Sequence, residues 1–196
     1  MKIFTVRHGR THWNVIGRMQ GHTDIELDEV GLDQATRLGT RLAGEKVGII
    51  YSSDLLRAAR TAEAINSHHN VELVTTPALR ELGFGVYEGR YYADFAEEID
   101  YHRSQNIPMP GGEDIFEYFN RIHAFLDEIT ASNHRNIIIV GHYGTVRAAI
   151  CYFLQIPTQD RERFHIDNTA VHCFERGANG KFSMILENDT SHLDIC

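Results

Sequence analysis

Short apolar runs alternate along this chain with stretches whose apolar residues recur every three or four positions. Lys2-Ile3-Phe4-Thr5-Val6 reads as a short buried strand that turns polar at once at Arg7. Leu32, Ala35, Leu38 and Leu42 share one helical face and predict a helix over 31–43. Val47 to Tyr51 is a second strand, followed by a helix over 54–68 with Leu55, Ala58, Ala62 and Ile65 inward and Ser53 or Asp54 as its cap. Residues 71–75 form a third strand, stopped by Pro77. A long irregular stretch to Gly112 holds one short helix around 91–103. An amphipathic helix over 113–131, a strand at 136–140 and a helix at 143–154, ended near Pro157, come next. Strands at 169–175 and 181–187 are joined by the hairpin turn Gly177-Ala178-Asn179-Gly180.

This alternation predicts an α/β fold: a mostly parallel central sheet flanked by helices on both faces, with one antiparallel edge strand near the C-terminus. No repeat, low-complexity segment or linker interrupts it. Residues 1–196 are expected to form a single domain, with 77–112 as an insertion over the active site, since it is too long for a plain connection.

A hydrophobic fraction of 42% and a charged fraction of 23% are those of a soluble globular protein. The net charge of −8 argues against nucleic acid or an anionic membrane as partner, but a few arginines in a cleft can still attract a small anion. The longest aliphatic run, Ile137 to Val140, is far too short to span a bilayer. The first strand runs into Arg7 with no apolar leader. The three cysteines, Cys151, Cys173 and Cys196, are odd in number and lack CxxC spacing, so a reduced, cytoplasmic protein is expected. The late strands or the helix at 143–154 could serve a homodimer.

Arg7-His8-Gly9 stands at the end of the first strand. The imidazole can be a nucleophile, the guanidinium can hold two phosphate oxygens, and the glycine lets backbone approach a ligand. A lone loop histidine is ordinarily a satisfied surface group. The design recurs, however, at Val140-Gly141-His142-Tyr143-Gly144-Thr145, where a strand again ends in a histidine before a helix start. Neighbouring strands would bring both imidazoles to the point where ligands sit in such sheets. Arg57 lies in the first turn of a helix, opposed by the helix dipole, so it suits a bound anion; Arg60 suits a surface pair with Glu63. The other histidines lack metal-ligand spacing. Tyr91, Tyr92, Phe116, Phe119 and Phe125 are expected in packing.

The motifs Arg7-His8-Gly9 with Asn14, Ser53-Asp54-Leu55-Leu56-Arg57-Ala58, Leu79-Arg80-Glu81-Leu82 with Gly85 and Glu88-Gly89, Gly111-Gly112-Glu113, and Gly141-His142-Tyr143-Gly144-Thr145-Val146-Arg147 together resemble the histidine phosphatase superfamily, in the branch of the phosphoglycerate mutases and related broad phosphatases. The resemblance spans nearly the whole chain and implies a phosphomonoesterase acting on a small phosphorylated metabolite. His8 would form a phosphohistidine. Arg7, Arg57 and His142 would hold the phosphoryl oxygens, with Asn14 and a backbone amide near Tyr143 as further donors. Gln20 and Gly21 resemble substrate-contacting positions. Glu81 would protonate the leaving oxygen and then activate water; the residues alone do not select it over Glu88 or Glu113. No metal or organic cofactor is implied. His8 must be neutral, which the nearby arginines favour, and its second nitrogen should donate to a carbonyl.

Two positions depart from the pattern. Arg10 stands where many members carry Glu or Gln, making the cleft mouth more positive, and Tyr143 stands where glycine is common. A cofactor-dependent phosphoglycerate mutase is the alternative. Mutases carry a Glu-Arg-His-Tyr-Gly stretch and a longer insertion, whereas this chain has Glu81-Leu82-Gly83-Phe84-Gly85, so hydrolysis is preferred. A non-catalytic phosphometabolite-binding module is a second alternative; the joint presence of Arg7, His8, Arg57, Glu81 and His142 speaks against it.

Overall fold

In the computed structural model, which describes residues 1–105, 107–132 and 134–193, six strands form one sheet in the order β3-β2-β4-β1-β5-β6. These strands are β1 (Lys2–Arg7), β2 (Ile49–Ser53), β3 (Glu72–Thr76), β4 (Asn136–Gly141), β5 (Val171–Arg176) and β6 (Phe182–Asp189). The first four are mutually parallel; β5 runs antiparallel to β1, and β6 antiparallel to β5. The helices are α1 (His12–Ile16), α2 (Glu29–Leu42), α3 (Leu56–Asn66), α4 (Ala96–Gln105), α5 (Ile115–Thr130) and α6 (Tyr143–Leu154). Cys196 lies outside the described residues, and Cys151 and Cys173 are buried free thiols.

Strand alternation divides the core into two layers. Phe4, Val6, Ile50, Ile138 and Val140 face α2 and α3, where they meet Leu38, Leu42, Ala62 and Ile65. Ile3, Ile49, Ile137 and Ile139 face the other way, against Ile122 and Leu126 of α5 and Val146 and Ile150 of α6. Most of α6 is buried in this layer, and β6 forms one open edge of the sheet.

Several local expectations need correction. Helix α3 begins at Leu56, and neither Ser53 nor Asp54 caps it. Asp24, from a distant loop, accepts from the Leu56 amide at 2.7 Å, while Asp54 forms a bidentate pair with Arg80. Helix α1 was not foreseen. It is a single turn closed by a capping box between Thr11 and Asn14. The helix expected over 91–103 starts only at Ala96, after a 3-10 turn at Tyr92–Asp94. Phe119 is buried as expected, but Phe116, Tyr91 and Tyr92 are exposed and do not belong to the core.

Candidate active site

The central pairing of β1 with β4 places Arg7 opposite Gly141. Each strand therefore releases its histidine at the same sheet edge. The imidazoles of His8 and His142 lie with centroids 5.2 Å apart, in an edge-to-face arrangement. Ser52 of β2 pairs with Val140, so the start of α3 and its Arg57 emerge beside them. Neighbouring strands whose connections leave toward opposite faces create this crevice.

Both imidazoles are buried, and their neighbours fix their tautomers. His8 Nδ1 lies 2.7 Å from the Gly9 carbonyl oxygen, which can only accept, so Nδ1 carries the proton and Nε2 keeps its lone pair. Arg57 Nε, which can only donate, lies 3.2 Å from His142 Nδ1, so the neutral His142 ring carries its proton on Nε2. That nitrogen is buried and has no hydrogen-bond partner among the described residues. Burial, then the charges of Arg57 and Arg7, hold His8 well below the usual imidazole range; burial, Arg57 and the neighbouring His8 do the same to His142. The site therefore presents one neutral nucleophilic nitrogen beside one neutral donor.

Two guanidinia supply the positive charge. Arg57 is buried, and burial pulls it down to about 10, still charged at neutral pH. Besides His142 it donates to the carbonyls of Thr23 at 3.0 Å and Gly21 at 2.8 Å, which ties the loop after α1 to the site. Burial likewise lowers Arg7 from the usual arginine range. Its Nη1 donates to the Ile166 carbonyl at 2.6 Å, and its Nε is buried without a partner among the described residues. His8 itself is held by Asn168 Nδ2, which donates to its carbonyl at 3.0 Å. A Cβ on Gly9 would come within 2.5 Å of the Gly31 carbonyl oxygen, so the glycine lets the loop close against the start of α2.

The three carboxylates that sequence could not rank occupy different settings. Glu113 forms a two-pronged pair with Arg121, at 2.9 and 2.8 Å. Glu88 accepts from the amides of His22, Thr23 and Phe84 and from the Thr23 hydroxyl, stitching two loops together. Glu81 accepts from the Gly144 amide at the start of α6 (3.1 Å) and from the Tyr118 hydroxyl (3.0 Å), so it stands one residue from Tyr143 and two from His142. It also lines a cavity of about 160 Å³, together with Phe84, Phe119, Tyr143 and Arg147.

Other predicted site residues fall nearby with altered roles. Asn14 Oδ1 accepts from the Thr11 amide, which leaves Nδ2 as the side chain's donor. The Gln20 amide oxygen is buried and unpartnered among the described residues. Gly21 serves through its carbonyl. The Tyr143 ring lies under the Arg7 guanidinium, 5.2 Å from its centroid. Arg10 pairs with Asp28 at 2.9 Å, so it adds no free positive charge, and Arg60 makes its surface pair with Glu63.

Two contributors escaped sequence reasoning. His22 donates to the Glu81 carbonyl at 2.8 Å, and Tyr118 reaches Glu81 from the middle of α5. Neither lies in a motif. Only the inward phase of Tyr118 on its helix carried a signal. Among the described residues, no group of three or more His, Cys, Asp or Glu side chains could hold a metal, and no helix is long and apolar enough to cross a membrane.

The model of the histidine phosphatase superfamily (branch 1) matches residues 3–190. Phosphoserine phosphatase 1 of Hydrogenobacter thermophilus is 30% identical over 90% of this chain and 88% of its own. A Yersinia pestis protein named "Probable phosphoglycerate mutase GpmB" is 30% identical over 100% of this chain and 96% of its own. The structure of a phosphoserine phosphatase from Entamoeba histolytica in complex with 3-phosphoglyceric acid superposes with a TM-score of 0.85, at 29% identity over 98% of both chains. The chain belongs to the histidine phosphatase superfamily, and within it to the hydrolytic phosphatases.

Proposed function

We propose that this protein hydrolyses small phosphomonoesters through a phosphohistidine on His8. The observation that carries this reading is the pair of complementary tautomers, with a lone pair on His8 Nε2 beside a proton on His142 Nε2. In the first step His8 Nε2 attacks phosphorus and the ester P–O bond breaks. The leaving oxygen takes the proton of a protonated Glu81. Arg7, Arg57 and His142 bind the equatorial oxygens, and the positive charge that forms on the His8 ring faces the bound phosphoryl group. In the second step water attacks phosphorus and the N–P bond breaks. Glu81, now a carboxylate, takes the water proton, and phosphate leaves with His8 neutral again. The phosphoserine phosphatase relatives support a compact metabolite bearing a carboxylate as substrate.

The test is rapid quenching with a labelled ester such as phosphoserine. An acid-labile, alkali-stable label on the protein, absent from His8→Ala together with phosphate release, is the expected result. Release that persists in His8→Ala overturns the reading. The mutase-named relative defines a second outcome, in which 2,3-bisphosphoglycerate stimulates exchange between 3- and 2-phosphoglycerate without net phosphate release.

A further inference from the structure

The cavity beside Glu81 has a wall whose position is set from outside the catalytic group. Tyr143 is the first residue of α6, directly after His142, and its ring is half-buried. One of its neighbours is the phosphate-facing Arg7. The other is Arg147, whose guanidinium lies over the same ring at 4.2 Å and whose Nη2 donates to the Tyr143 hydroxyl at 2.7 Å. Arg147 is itself fixed. Its Nε donates to the Phe164 carbonyl at 2.7 Å, and Nη1 pairs with the Glu162 carboxylate. Its side chain is only 10% exposed, although Glu162 reaches solvent. A chain of contacts thus runs from the surface at Glu162 through Arg147 to the Tyr143 ring.

That ring stands between Arg7 and the cavity that Glu81 lines. Glu81 is the proposed proton donor, so the leaving oxygen must sit against it, and the organic part of the ester must enter this space or leave the site past Tyr143. A volume of about 160 Å³ is close to that of engineered cavities that hold a single benzene ring. A short-chain metabolite matches such a space more closely than a sugar joined to a base.

We infer that Tyr143, locked by Arg147 and Glu162, sets the upper size of the ester's organic group, so that the enzyme selects compact phosphomonoesters and discriminates against nucleotide-sized ones. Tyr143 is the specificity-determining group, and Arg147 is a positioning residue that acts through it. The inference rests on the hydrolytic reading above and deepens it. Glycine at position 143, common in related chains by the resemblance drawn from sequence, would remove this wall.

The experiment compares phosphate release from phosphoserine and from adenosine 5′-monophosphate by wild type, Tyr143→Ala and Arg147→Met. The readout is the ratio of the two kcat/KM values, so a general loss of activity does not affect it. Tyr143→Ala should move the ratio toward the nucleotide by roughly tenfold or more, mainly through a lower KM for the nucleotide. Arg147→Met should move it in the same direction by a smaller factor. A ratio unchanged in Tyr143→Ala overturns the role of the ring, and one unchanged in Arg147→Met overturns the lock. A His8→Ala control that still releases phosphate would instead overturn the hydrolytic reading itself.

Discussion

His8 and His142 face each other with opposite protonation patterns, each fixed by a partner that can hold only one role. A carbonyl oxygen determines the first and a guanidinium N–H the second. In the proposed mechanism this arrangement divides the labour of attack and charge stabilisation between two side chains of the same type. Replacing His142 by alanine should therefore leave the nucleophile in place while removing one donor to the phosphoryl oxygens. A loss of about 10² to 10³ in kcat is expected from steady-state release assays.

The depressed basicity of His8 makes a pH prediction. Because its protonated form is disfavoured, the nucleophile stays neutral as pH falls through the ordinary imidazole range. The acid limb of kcat/KM should fall below about pH 6.5. Removing a neighbouring positive charge with Arg57→Gln should move the titration of His8 upward, since Arg57 is the largest charge acting on it after burial. Imidazole resonances followed by NMR across pH would show it; an unmoved His8 titration would contradict the electrostatic assignment.

Glu81→Gln should separate the two chemical steps. The variant cannot donate to the leaving oxygen or accept from water. With an ester whose leaving group needs no proton, such as p-nitrophenyl phosphate, His8 should still be phosphorylated, and the phosphoenzyme should then persist. A fall of 10² to 10⁴ in turnover with accumulated label is expected. A fall without accumulation would show that Glu81 acts only in the first step.

Gly144→Ala is a test of placement. An added Cβ would lie 2.7 Å from the Tyr118 hydroxyl and closer still to the Glu81 carboxylate. Alanine favours helix, so global stability should hold while Glu81 is displaced from the leaving oxygen. A displacement of about 1 Å can cost on the order of 10²-fold, which places the expected loss in kcat with an unchanged melting temperature.

His172 lies inside the sheet, fully buried, with neither ring nitrogen partnered among the described residues, and burial pushes it down to about 4. In the unfolded chain it titrates near 6.5, so the unfolded state binds more protons between those values. Stability is then intact above about pH 6.5 and falls as pH drops toward 4, by about 3 kcal/mol in all. His172→Leu should flatten this part of the pH dependence in urea denaturation series.

The sheet and the two histidines were legible because their signals are local. A buried strand followed at once by a polar group marks a site edge, and β1 and β4 each show it. Arg57 was legible for a similar reason, at a helix start where its charge needs an explanation. Glu81 was not, because it stands in irregular backbone, and what sets it apart is a pair of partners, Tyr118 and Gly144, that are 37 and 63 residues away in sequence. Tyr118 and His22 were invisible on the same ground. The misplaced cap of α3 has the same origin: the Asp24 carboxylate comes from another loop, and no window around Leu56 contains it.

The register of β1 against β4 also bears on how such an enzyme can change. The nucleophile takes its tautomer from the adjacent Gly9 and its position from the central pair of strands, whereas the cavity wall is drawn from segments around 82–84 and 158–164 and from the Tyr143 ring. Most of the wall that meets the substrate is therefore supplied by chain other than the strand ends that carry His8 and His142, with Tyr143 and Glu81 as the points where the two adjoin. New substrates can be acquired by changing this wall while the two histidines and their strands stay in place, and a graft of those two segments together with residue 143 between relatives should carry preference with it.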